Sequence, residues 1–204
     1  MADTISSIKC VNIGDSGVGK TCVLVSYVEN EFPEEHVPTA FDNYTAIVDH
    51  NKRPITVGLW DTSGVASDTM RPLSYNDAKV FIIYFSLVDR DSFNHVELKW
   101  VKELEQNKHL GTPYLLVGNK SDLRDDADAC KTLGVTPISK KEGQELAKKV
   151  GAYGYFECSA KLQTGLGEVF EAAVAAVVEP TKLLSEKDLK KIVDKKKKGG
   201  CKNQ

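Results

Sequence analysis

Apolar runs alternate with amphipathic segments along this chain. Ile8-Lys9-Cys10-Val11-Asn12-Ile13 predicts a buried strand, and Lys79 to Leu87 is a continuous apolar run of the kind found in strands covered on both faces. Tyr44 to Val48 and Ile55 to Trp60 predict a strand pair turning near His50-Asn51-Lys52. Tyr114 to Gly118 and Tyr155 to Cys158 predict two more strands. Helical spacing covers Thr21 to Tyr27, Asp91 to Asn107 with Asp91 as its cap, Lys140 to Val150, and Leu166 to Val178, which stops before Pro180. Asn30 to Asp42 and Asp61 to Tyr75 are too irregular for either element. The alternation implies an α/β fold, a doubly wound and mostly parallel six-stranded sheet flanked by helices. Ligands in such sheets bind at the carboxyl ends of the strands.

Length adds one domain, residues 1–180, with a tail at 181–204. Charge sharpens that division. Residues 186–204 hold eight lysines against Glu186, Asp188 and Asp194, a net of +5, so a chain of net charge −2 leaves −7 on the rest. An acidic globule with a basic tail argues against nucleic-acid binding and for a tail with its own electrostatic partner. Of the five cysteines, none lies in a C-x-x-C pair, and no run reaches the ~18 apolar residues a membrane span needs. A reduced, cytoplasmic compartment is expected, with Cys10, Cys22 and Cys158 as core packing.

The chemistry concentrates in Gly14-Asp15-Ser16-Gly17-Val18-Gly19-Lys20-Thr21. This is G-x-x-x-x-G-K-[ST] between a predicted strand and a predicted helix, the context in which backbone N–H groups cradle phosphates. Ser16, Gly17, Val18, Gly19, Lys20, Thr21 and Cys22 would line that cradle, Lys20 giving a point charge and Thr21 a hydroxyl ligand for Mg²⁺. Asp61-Thr62-Ser63-Gly64 follows a strand, where Asp61 can hold Mg²⁺ through water and the Gly64 N–H can reach a terminal phosphate. Asn119-Lys120-Ser121-Asp122 ends another strand. The Asp122 carboxylate can accept both the ring N–H and the exocyclic amine of guanine, a donor pair that adenine lacks. Ser159-Ala160-Lys161 ends the last strand and can give a backbone N–H to the guanine oxygen. Each element alone reads equally as a surface loop; four in this order do not.

Together these residues resemble a small GTPase of the Ras superfamily. Trp60-Asp61-Thr62, Arg71-Pro72-Leu73-Ser74-Tyr75, Val37 to Tyr44 and Asp122-Leu123-Arg124-Asp125-Asp126 resemble its Rho/Rac branch. The resemblance implies GTP/GDP and Mg²⁺ as ligands, Thr39 as the switch residue reaching Mg²⁺, and Phe32 packed on the guanine ring. It also implies effector docking through residues 36–44 and 64–75, exchange factors, a guanine-nucleotide dissociation inhibitor, and a link to actin and cell shape. Residues 126–136 fall where Rho proteins insert a short helix, here a few residues shorter.

The departures fall on the hydrolytic side. The family's water-orienting Gln is replaced by Val65, which has no donor or acceptor. Ser16 stands where most relatives carry Gly, Ser63 where Ala is usual, and His36 where a Tyr closes over the phosphates. Ser16 and Asp-Thr-Ser-Gly are similar to the Rnd-type Rho proteins, which bind GTP and scarcely hydrolyse it. Two functions follow: a monomeric switch resting with GTP bound, or a slow GTPase cycled by an unusual activating protein. A P-loop kinase or ATPase is disfavoured by Asp122.

In the tail, Leu189, Ile192 and Val193 sit at helical spacing behind Ser185. Lys195 to Lys198 then precede Cys201-Lys202-Asn203-Gln204, which resembles a prenylation box, although Lys202 and Asn203 are not aliphatic. A lipid on Cys201 with four lysines would place the protein on the cytoplasmic face of an anionic membrane, with the plasma membrane favoured.

Overall fold

A computed structural model of the chain describes residues 7–34, 41–65, 70–109 and 111–179. Strands β1 (Ser7–Gly14), β2 (Phe41–His50), β3 (Arg53–Thr62), β4 (Val80–Ser86), β5 (Tyr114–Asn119) and β6 (Gly154–Glu157) form one sheet in the order β2-β3-β1-β4-β5-β6. Only β2 runs antiparallel, paired with β3 from Phe41↔Thr62 to His50↔Arg53. Its turn uses Asn51 and Lys52, both in the left-handed region, as a tight hairpin requires. Every residue of β4 and β5 is buried, the pattern of parallel strands covered on both faces. The fold is the α/β sheet that the alternation implies.

Two apolar cores lie on opposite faces of the sheet. One packs Val23 and Leu24 of α1 (Lys20–Glu29) with Val169, Phe170 and Ala173 of α7 (Leu166–Val178). The other packs Trp100 and Leu104 with Leu146 of α6 (Lys140–Val150). Helix α6 starts at a reciprocal cap in which Ser139 and Glu142 satisfy each other's backbone N–H, and it ends at Gly151 with φ 76°. A Cβ on Gly143 would lie 2.1 Å from the Tyr155 ring, so glycine is what lets α6 approach β6.

The expected Asp91–Asn107 helix is three pieces: α2 (Arg90–His95), a π-helical stretch (Val96–Val101) and α3 (Lys102–Gln106). Its cap is Asp89 rather than Asp91. Asp89 has the extended backbone a cap needs, and its Oδ1 accepts from Asp91 N at 3.1 Å and Ser92 N at 3.2 Å. Apolar periodicity also passes over α4 (Ser121–Arg124) and α5 (Ala127–Leu133), which are short and largely solvated. Helix α5 lies within residues 126–136 and is capped by Asp126. A 3₁₀ turn, Arg71–Tyr75, interrupts the segment expected to be irregular.

Candidate functional site

The phosphate-type loop joins β1 to α1 where the chain cannot avoid left-handed turns. Gly17 has φ +77° and Gly19 φ +89°, and Gly19 is the N-terminal cap residue of α1. A side chain on Gly19 would begin 2.5 Å from Asn119 Nδ2. No side chain caps α1 and no acidic residue sits in its first turn, which leaves the positive end of the helix facing the loop. Val18 is fully buried and anchors the loop in the core beneath.

A cleft of about 210 Å³ opens over this loop, lined by Ser16, Gly17, Gly19, Lys20, Thr21 and Cys22 on one wall and by Thr62, Ser63, Gly64, Val65 and Lys120 on the other. The two walls touch: a Cβ on Gly64 would fall 2.2 Å from Ser16 N. Lys20 is buried, and its ammonium donates to Gly14 O at 2.8 Å and Asp15 O at 2.9 Å. Burial pushes that ammonium down to about 8, against the opposing pull of Asp61 and Asp15. Thr21 Oγ1 donates to Asp61 Oδ2 at 2.5 Å. Asp61 and Thr62 are the last residues of β3 rather than a loop after it, and Thr62 Oγ1 donates to Asn12 O at 2.7 Å, locking β3 to β1.

The second half of the site sits beside the first. Asn119 Nδ2 donates to Val18 O at 2.9 Å, and its Oδ1 accepts from Ala160 N at 3.4 Å. Lys120, left-handed at φ 65°, sends its ammonium to Gly17 O at 2.7 Å. Asp122 Oδ1 accepts from Ser159 Oγ at 2.6 Å, and Ser159 Oγ accepts from Leu162 N at 3.0 Å. Ser159 lies past the end of β6 and pairs with Thr164 in an isolated bridge, so the Ser159-Ala160-Lys161 segment is a turn and not the strand's own end. Lys161 is exposed, and Phe32 is half-buried against the α1–α7 core. Cys22 is partly buried: it packs against the α1–α7 core and also lines the cleft, whereas Cys10 and Cys158 are buried outright. Thr39, His36, residues 66–69, Lys195 to Lys198 and Cys201 lie outside the described residues.

Several contributors act through contacts that their motifs do not announce. Arg71 makes a bidentate ion pair with Glu103, Nε to Oε1 at 2.8 Å and Nη2 to Oε2 at 2.7 Å, and its Nη1 donates to Ser63 O at 3.2 Å. The Tyr75 hydroxyl also donates to Glu103. Asp15 turns its carboxylate toward His95 and Trp100. A charged residue in the middle of a glycine-rich loop was the available signal for Asp15; its partners lie about 80 residues away and leave none.

The residues present fit a nucleotide phosphate with a hard cation. Two left-handed glycines expose backbone, a buried ammonium gains from an anion beside it, and a hydroxyl meets a buried carboxylate as an oxygen donor set. Among the described residues no helix is long and apolar enough to cross a membrane. The family model described as the Ras family matches residues 9–179, from β1 through the residue after α7. With that match over most of its length, a six-stranded sheet with one antiparallel strand, and a glycine-rich loop over a buried lysine, the chain belongs to the Ras family of small GTP-binding switch proteins.

Proposed function

We propose that this protein is a Rho-like switch that binds GTP with Mg²⁺ and rests in the GTP-bound state because it hydrolyses the nucleotide very slowly. The observation that carries the reading is Val65. Its side chain is 81 % exposed at the mouth of the cleft, and its backbone N–H is taken up by Ser63 Oγ at 3.2 Å. A hydrocarbon in that place cannot orient an attacking water. Ser16 and Ser63 line the same cleft from its two walls. Intrinsic hydrolysis by an intact site of this type is only about 10⁻⁴ per second, and an activating protein adds roughly 10⁵-fold. Loss of the orienting group removes most of what there is to gain.

Binding is a separate matter, and none of these departures removes one of its groups. Lys20, the backbone of the loop and the first turn of α1 would hold the phosphates, Gly64 would give its N–H to the terminal one, and Asp122 with Ala160 would select guanine. Thr21, Asp61 and Thr39 would hold Mg²⁺, which supplies charge neutralisation between the outer phosphates when bound. The exposed side chains of Val65, Met70 (67 %) and Leu73 (68 %) support effector docking through 64–75, with 36–44 as the companion surface. The basic run Lys195 to Lys198 with Cys201 supports work at the cytoplasmic face of an anionic membrane.

The test is single-turnover GTP hydrolysis on purified full-length protein, with chromatographic identification of the nucleotide that co-purifies. Retained GTP and no phosphate release over hours is the expected result. Bound GDP with ordinary turnover overturns it and assigns the protein to the cycling GTPases.

A further inference from the structure

Asp15 belongs to the phosphate loop, yet its side chain leaves the cleft. Oδ1 accepts from Trp100 Nε1 at 2.9 Å, and Oδ2 lies 2.6 Å from His95 Nδ1. Its backbone carbonyl accepts from Lys20 Nζ, so one residue ties the buried lysine to two side chains of the neighbouring helix. His95 and Trp100 are five apart. On an α-helix that spacing points them to different faces, roughly 140° apart, from 3.6 residues per turn. The stretch from Val96 to Val101 is π-helical, and its wider turn stacks residues five apart. The irregular turn is therefore what brings both donors to one carboxylate.

We propose that His95 is a positioning residue which, through Asp15, holds the phosphate loop in its ligand-binding form and sets the rate of nucleotide release, the imidazolium being the tighter clamp. This rests on the reading of the cleft as a guanine-nucleotide site. A charge-assisted hydrogen bond is about twice as strong as its neutral counterpart, and histidine is the side chain type that changes charge between about pH 5 and 8. The His95 side chain is 45 % exposed and exchanges protons with solvent, whereas that of Asp15 is 19 % exposed. Other charges face the pair from each packed element. Lys20 reaches Asp15 from α1, and Lys99 and Arg71 flank the Trp100 ring at 4.3 Å and 4.7 Å, the first from the π-helical stretch and the second from the 3₁₀ turn. All three are cations, so they favour an ionised Asp15. Lys20 is itself held down to about 8, so its charge also changes toward the upper end of that range, and the comparison with His95→Asn separates its contribution from that of His95.

The experiment follows release of a fluorescent GDP from the full chain between pH 5.8 and 7.8. It compares wild type with His95→Asn, which keeps a donor but does not titrate, and Trp100→Phe, which keeps the ring and loses the donor. Wild type should release about threefold to tenfold more slowly at the lower pH. His95→Asn should lose that slope, and Trp100→Phe should release faster throughout while retaining it. In parallel, the Trp100 indole N–H resonance should move with pH in wild type and not in His95→Asn. A wild-type slope in His95→Asn overturns the proposal while leaving the nucleotide site intact. Failure of any form to bind a guanine nucleotide overturns the underlying reading, and the proposal with it.

Discussion

Asn119 donates its side-chain amide to the carbonyl of Val18 at 2.9 Å, joining the end of β5 to the loop after β1 across a hundred residues of sequence. The same side chain accepts from Ala160 N, so three loops that read as separate motifs share one asparagine. Asn119 is 2 % exposed. Replacing it by Ala leaves a buried carbonyl unsatisfied, at a cost of about 1–3 kcal/mol. Asn119→Ala should lower the melting temperature and speed nucleotide release at least about tenfold, measured with a fluorescent nucleotide; unchanged release would mean that the loops hold their positions independently.

The Val65 reading makes a gain-of-function prediction. Val65→Gln restores a side chain able to orient water, and a positioned acid–base or orienting group contributes roughly 10²-fold or more. Single-turnover hydrolysis should rise at least about tenfold, with nucleotide affinity unaltered. No rise would place the obstruction at Ser16 or Ser63, which line the same cleft.

Arg71 and Glu103 form a buried ion pair, with side chains 0 % and 8 % exposed. Removing one partner strands a charge and should cost about 3–5 kcal/mol, whereas replacing both with apolar residues should cost far less. Arg71→Met and Glu103→Leu should therefore each be severely destabilised in urea titrations and the double variant substantially recovered. Additive losses would show that the pair is not coupled. Either single variant also loosens Ser63, because Arg71 holds its carbonyl.

Acid sensitivity has a local source in α6. The backbone N–H and hydroxyl of Ser139, then Arg90, hold the Glu142 carboxyl down to about 2 from an ordinary 4.5. A carboxyl depressed on folding contributes stability that is present above pH 4.5 and lost as pH falls toward 2. The side chain is 40 % exposed, so solvent screening keeps the contribution to about 1 kcal/mol or less. Glu142→Gln should be slightly less stable than wild type at pH 7, and the gap should narrow as the pH drops from 4.5 to 3. A constant gap would assign the loss to packing.

The sheet and the loop chemistry were legible because their signals are local. β4 and β5 are unbroken apolar runs, and the glycine-lysine spacing at 14–21 carries its own geometry. The π-helical stretch was not, since an apolar pattern at 96–104 fits an ordinary helix and the extra residue per turn is settled by what Trp100 reaches. Asp61 and Thr62 read as loop because the apolar run stops at Trp60; the Thr62 bond to Asn12 carries the strand two residues further. Lys120 reads as a base-loop residue, and nothing in its neighbours announces that its ammonium crosses to Gly17.

The hairpin turn at Asn51-Lys52 stands at the start of β3, whereas the cleft residues hang from that strand's other end. With ten paired residues between them, the turn is mechanically remote from the nucleotide while rigidly attached to it. It is a natural handle: a dye, a tether or an inserted tag placed there would report on the orientation of the whole domain against a surface without perturbing what the cleft holds. The same rigidity means that a partner gripping this tip could turn the molecule and leave its nucleotide state untouched.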